Sequence, residues 1–529
     1  MTVAELYAEA LEADRGTSRK RARELYEKVI SKASDNAEAH FRLGVLDFES
    51  GLWKEAQRKF QTALDLEPSH SMARYFHGAA DFQLGNYSEA LRTGNRVVEL
   101  EPNLSLGYDL KGRALMRLGR RDQVIPEFEQ ASQANTKDFR AWEHLAMAFF
   151  GAGRNSDAFA LARDLVDRDP TALIPRAILA FEDPTKPRTM FEETLGFLGE
   201  ADFEYVEAML AFESLAMPKA AFIYAMPLLA DRFVDRFPLS PMQHIYSSAL
   251  ALMNGSPPTA EKIYNELGQW NSDFVFPSRT EAVNVLQAMK RISSSDGRFP
   301  LLLGDVLANL GRIGEATVEW ESAIQKDPTL AQAHRNLGLY YWKEKEDPDR
   351  AEAFYRRAID LRPKDPTLYV ELSEILSGTP EKVVALLTDL GTANFGRNEL
   401  SENLARAYNE LGEYQKTINF LGKSSFSNWE NRKTSRNLWV AALIGRGKNS
   451  LDAGQPESAL ADFDLALTYP RHLGVGRPAD PNEAEAHYWR GVAFLKMDNK
   501  EKAKEAFEAG KASAGNEEYR KKCEEELGK

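Results

Sequence analysis

Residues 472–480 read HLGVGRPAD, with Gly474, Gly476 and Ala479 at G-x-G-x-x-A spacing. Taken alone, this spells a dinucleotide-binding turn. That chemistry needs a strand that ends at the first glycine and a helix that opens after it, so that backbone N–H groups at the helix N-terminus reach a pyrophosphate. The preceding residues, ESALADFDLALTYP, put Ala459, Phe463 and Ala466 at helical spacing and lack the β-branched run of a buried parallel strand. A helix therefore feeds this segment, and no cofactor is expected. Two readings of it stay open: an elaborated loop between helices, with Gly474 and Gly476 taking positive φ, or an anion contact made by Arg471, His472 and Arg477.

Other reactive side chains are scattered. The eight histidines, His40, His70, His77, His144, His244, His334, His472 and His487, form no H-x-x-x-H or H-E-x-x-H pair, so no metal site is expected. Cys523 is the only cysteine, which excludes an intrachain disulfide and a cysteine-based zinc site. No G-x-S-x-G, Walker loop or Cys-His arrangement is present, and a chain without catalytic residues is the expectation.

Lys and Arg number 67 against 80 Asp and Glu, a formal charge of −13. That balance opposes undirected binding to nucleic acid or an anionic membrane. The amino terminus has no apolar core of signal-peptide length, and no stretch approaches the ~18 uninterrupted apolar residues of a membrane span. A cytoplasmic protein is expected.

The elements that would position any site repeat. In rows of 34 residues from position 37, AEAHFRLGVLDFESGLWKEAQRKFQTALDLEPSH is followed directly by SMARYFHGAADFQLGNYSEALRTGNRVVELEPNL. Small residues recur at the eighth column (Gly44, Gly78, Gly112, Ala146) and at the twentieth (Ala56, Ala90, Ala158). Phe60 and Phe128 fill the twenty-fourth, and Pro68, Pro102 and Pro170 close the second helix. This resembles the tetratricopeptide repeat, a helix-turn-helix unit of 34 residues. The resemblance implies an all-α fold, a right-handed α-solenoid.

Five regular rows span 3–172, and 173–296 reads as degenerate helical repeats with irregular loops. The latter stretch includes a row from Ala201 with Ala208 and Ala220 in register, and a helix near 280–293 without an evident partner. Repeats resume over 297–517, with a long glycine-rich loop at 471–483. Residues 518–529 form a capping helix on the stripe Tyr519, Cys523 and Leu527.

The segments SDFVFPSR, HRNLGLYYW and YPRHLGVGRPADPNEAEAHYW, in that order, are similar to the carboxy-terminal half of a family of large bacterial proteins. In that family a β-sandwich domain of unknown function, linked to carbohydrate-utilisation genes, precedes the tetratricopeptide half. Here repeats begin at residue 3, so that domain is expected to be absent. The resemblance makes the glycine-rich segment the connection between the last two repeats.

Tetratricopeptide arrays bind partners along the concave groove lined by the first helix of each pair, at columns 2, 5, 9, 12 and 13. A chaperone-tail clamp wants Lys at column 5 with Asn at column 9. This chain has Phe41 with Val45, Tyr75 with Ala79, Asp109 with Arg113, Glu143 with Met147 and Arg335 with Leu339, so that partner is not expected. Aromatic side chains fill the columns instead: Phe41, Phe48, Tyr75, Phe82 and Phe150, flanked by Arg113, Met116 and Arg117. They suit a peptide anchor or sugar stacking, and the alternative is packing that hides them. The expected function is a protein-binding scaffold. A second reading is a helical subunit of a carbohydrate-active assembly, working with a separate β-sandwich domain or binding a glycan.

Overall fold

The computed structural model describes residues 1–16, 18–170, 172–179, 182, 241–253, 255–268, 270, 272, 275, 277, 280–392, 395–426 and 433–528. Among them every regular element is helical, and they form two compact units, Met1–Pro328 and Thr329–Lys529. The first unit contains α1 (Val3–Arg15), α2 (Arg19–Lys32), α3 (Ala37–Glu49), α4 (Trp53–Leu66), α5 (Ser71–Gln83), α6 (Tyr87–Leu100), α7 (Ser105–Arg117), α8 (Val124–Ala134), α9 (Phe139–Gly151), α10 (Asn155–Arg168), α11 (Leu173–Leu179), α12 (Pro241–Met253), α13 (Pro257–Glu266), α14 (Glu281–Ile292), α15 (Arg298–Asn309) and α16 (Ile313–Lys326). The second contains α17 (Ala331–Lys343), α18 (Pro348–Leu361), α19 (Pro366–Ile375), α20 (Pro380–Leu390), α21 (Asn398–Glu410), α22 (Tyr414–Leu421), α23 (Thr434–Asp452), α24 (Pro456–Ala466), α25 (Ala484–Lys496), α26 (Lys500–Ala512) and α27 (Glu517–Leu527). Sequential helices pack on one another within each unit, as in an α-solenoid.

The column pattern has a direct packing cause. A Cβ placed on Gly44 would lie 2.7 Å from the Phe60 ring, and one on Gly112 would lie 2.6 Å from Phe128. Each ring thus rests on helix backbone where any side chain would exclude it. The second unit repeats the device with Gly338 against Tyr355 and Gly491 against Phe507. Ala56, Ala90 and Ala158 are fully buried. After the second helix of a row, Glu67 and Glu101 leave helical geometry at ψ 88° and 84°, because a following proline disfavours the α region.

Most turns inside a pair hold a left-handed residue. Gly51 and Gly311 supply it at φ +72° and +77°, whereas Asp498 holds the same place at φ +57°. An L side chain pays a steric cost there that glycine does not. Asp498→Gly is therefore expected to stabilise the second unit by about 0.5–1 kcal/mol, the left-handed strain less glycine's extra chain entropy. A urea midpoint that stays put or falls would contradict this.

Two elements differ from the sequence reading. The helix expected to lack a partner, α14, packs on both α12 and α15. It buries Ala282, Val283, Val285, Leu286, Ala288 and Met289, an apolar set too wide for one neighbour. Helix α23 starts at Thr434, ahead of the 34-residue row that the repeat pattern places at about 440–473, and there Arg436 donates to the carbonyls of Ala466 and Thr468, each at 3.1 Å. Those carbonyls at the end of α24 have no helical partner of their own. The row from Ala201, with Ala208 and Ala220, lies outside the described residues. On α27, Cys523 is fully buried, burial pushes its thiol up to about 11, and Tyr519 packs on Tyr488 at 5.5 Å.

Candidate partner-binding face

The G-x-G-x-x-A segment joins two helices. Helix α24 is followed by a short 3-10 turn at Arg471–Leu473 and then by an irregular loop up to α25. Gly474 takes φ +66°, but Gly476, against expectation, does not enter the left-handed region. The loop is tied down by its own backbone. Phe426 N–H donates to the His472 carbonyl at 2.8 Å, and the Ser435 hydroxyl to the Leu473 carbonyl at 2.8 Å. Arg477 lies 3.1 Å from Glu483, and the His472 ring lies edge-on to Trp439 at 6.0 Å. With no strand before it, the segment lacks the geometry of a dinucleotide turn.

The first helices of successive rows, α3, α5, α7 and α9, carry the aromatic columns. Phe41 is only 5% exposed, its ring among Phe60, Phe76 and His70, the last at 4.7 Å. Phe48 is half-buried and edge-on to Phe76 at 5.6 Å. Phe82 is 7% exposed, with the Arg113 guanidinium over its ring at 4.3 Å. Met116 is buried, Arg117 lies over Tyr87 at 5.0 Å, and half-buried Phe150 stands apart against Phe159 at 6.5 Å.

Tyr75 is half-buried, packed edge-on to Phe76 at 5.2 Å. Desolvation, followed by the charge of Asp109, pushes its phenol up to about 12, against the opposing pull of Arg113 and Arg140. Half-buried against the cluster of Phe82 and Leu110, the ring sits in a shallow recess of this face.

Asp109 is the centre of that recess. Its carboxylate meets His144 Nδ1 at 2.5 Å and Arg113 at 3.7 Å. Burial works against the charge, but His144 through charge and hydrogen bond, then Arg113 and Arg140, outweigh it and hold the carboxyl below the ordinary aspartate range. Asp138, which accepts from the Ser105 hydroxyl at 3.2 Å, borders the group. Tyr75, Phe82 and Arg113 are thus brought together, while Phe41 and Phe48 belong to a neighbouring aromatic cluster. Asp109, Arg140 and His144 were not singled out by sequence; their signal was an acid and a base on facing columns of adjacent rows.

Among the described residues no group of three or more His, Cys, Asp or Glu is placed to hold a metal, and no helix is long and apolar enough to cross a membrane.

The tetratricopeptide repeat family matches residues 110–172, 304–345, 331–365 and 444–517. Residues 18–97 match the family described as anaphase-promoting complex, cyclosome, subunit 3. Among solved structures, a tetratricopeptide repeat protein from Parabacteroides merdae is 13% identical, over 55% of this chain and 98% of that one, at a TM-score of 0.35. MamA from Desulfovibrio magneticus is 21% identical over 32% of this chain and 95% of that one, at 0.30. The anaphase-promoting complex hetero-tetramer Cut9–Hcn1 is 14% identical over 100% and 96%, also at 0.30. Helix pairs crossing at small residues, with family matches in both compact units, make this chain a tetratricopeptide repeat protein.

Proposed function

We propose that the chain is a non-catalytic scaffold that holds a protein or peptide partner on the face formed by α5, α7 and α9. The observation that supports this is Tyr75, half-buried on that face within the field of Asp109, Arg113 and Arg140. A desolvated, rigid aromatic ring beside guanidinium groups is the composition of an interface hot spot. Phe82, buried beneath the Arg113 guanidinium, then acts as the floor that fixes this recess.

Tyr75→Ala is expected to weaken partner capture by about 2 kcal/mol, roughly 30-fold in Kd. Its melting temperature should shift far less than that of Phe82→Ala, whose ring is buried. Co-purification followed by mass spectrometry, run beside thermal melts of both variants, measures this. Equal capture by the parent and Tyr75→Ala would place the partner elsewhere.

A further inference from the structure

Most within-pair turns of the first unit stand open. A Cβ added at Gly85, Gly119, Gly153 or Gly311 would meet nothing within 4 Å. Gly51, the same position of an earlier row, is covered: its Cβ would lie 2.8 Å from the Thr280 methyl and 3.5 Å from the Arg312 guanidinium. The Thr280 hydroxyl donates to the Glu49 carbonyl at 3.4 Å, across 231 residues of chain.

Arg312 registers the same contact independently. Arg154 and Arg312 both precede the second helix of a row and both pair with a carboxylate three residues on, Asp157 and Glu315. Yet the Arg154 side chain is 48% exposed and that of Arg312 only 15%. The chemistry is complementary: the Leu46, Asp47 and Phe48 carbonyls accept from their own turn, while that of Glu49, at the negative end of the α3 dipole, accepts from Thr280. A hydroxyl and a guanidinium are the groups that suit that end.

We propose that this contact is a latch, tying the α3–α4 turn to the heads of α14 and α16 and closing the first unit on itself. The clasp consists of a hydroxyl, a guanidinium and a glycine, with no large apolar side chain in it, so it exchanges for water without unmaking either helix pair. Helices α5 to α9, which bear the Tyr75 recess, lie within the stretch of chain that it ties off. The latch does not depend on what binds there.

The native sequence has one cysteine, Cys523, and it is buried, so introduced thiols report cleanly. In Gly51→Cys/Thr280→Cys, oxidation by diamide, which takes two electrons and two protons from the thiol pair, is expected to form a disulfide in the folded chain. Non-reducing electrophoresis shows it as a mobility shift that dithiothreitol reverses. Because a cysteine at position 51 must adopt positive φ, Leu52→Cys/Thr280→Cys with a short bismaleimide provides a second pair. Arg312→Glu should slow linking several-fold in either pair, by setting a negative charge against the α3 carbonyls. Thr280→Cys alone should react with a maleimide in native buffer, more slowly than Gly153→Cys at an open turn. Absence of linking in both pairs, with native helical circular dichroism, overturns the contact; linking indifferent to Arg312→Glu overturns the clasp; and no labelling of Thr280→Cys short of unfolding overturns its reversibility.

Discussion

Phe128→Ala should destabilise the first unit by about 3–5 kcal/mol, the cost of emptying a fully buried aromatic site. The ring has no solvent exposure and lies against the Gly112 backbone on one side and His144, at 5.5 Å, on the other. Its removal opens a hole at the crossing of α7 and α8, and neither backbone can close it, because each helix is held by the next row. Gly112→Ala in the parent should also destabilise, by about 1–3 kcal/mol of overpacking, since its Cβ would stand 2.6 Å from the ring. In the Phe128→Ala background the same change should reverse sign, gaining about 1 kcal/mol of helix propensity where the collision has gone. Urea denaturation of the four proteins closes the cycle, and hydrogen exchange over 105–134 locates the loss. If Gly112→Ala costs the same with and without the ring, the two residues are not a packing pair.

That cycle also marks what the sequence could disclose. Gly112 and Phe128 are legible as a pair because both lie within one row and the spacing recurs in other rows. Side chains that meet across rows are harder to read. Columns 5 and 12 place Phe41 and Phe82 on the first-helix face, but the next helix pair covers them, with Phe76 of α5 and its N-cap His70 over Phe41 and Arg113 of α7 over Phe82. A column fixes where a residue's backbone stands in the solenoid; what lies over its side chain depends on the particular residues one repeat later. Tyr75 escapes because the residue facing it in the same column of the next row is Asp109, a shorter side chain drawn aside to His144. The left-handed turn position is held by glycine at Gly51 and Gly311 but by Asp498 in the last row, and aspartate gives no warning there, since it is ordinary in any turn. The latch was invisible for a different reason: its partners are 231 residues apart and share no column.

Asp109→Asn should destabilise the first unit by about 2–3 kcal/mol at neutral pH, the range for losing a hydrogen bond to a charged group together with its compensation of nearby cations. The asparagine keeps the shape, so packing around Phe128 and His144 is undisturbed and the charge alone is removed. The pH dependence follows from the direction of the shift. The folded carboxyl lies below its ordinary value because His144, Arg113 and Arg140 outweigh the burial that opposes its charge. The unfolded chain therefore takes up this proton first as pH falls, and the stabilising contribution is complete above the unfolded value, near roughly 4. It declines as pH drops through the folded value. The stability gap between parent and Asp109→Asn should accordingly narrow below about pH 4. Urea midpoints of both proteins along that series measure it. A gap that persists unchanged at pH 3 would mean that the asparagine disturbs the α7–α9 contact sterically and that the charge of Asp109 does not hold the recess together. A narrowing gap accompanied by weaker partner capture would instead join the two roles, since Arg113 and Arg140 act on both Asp109 and Tyr75 and are released by the same protonation.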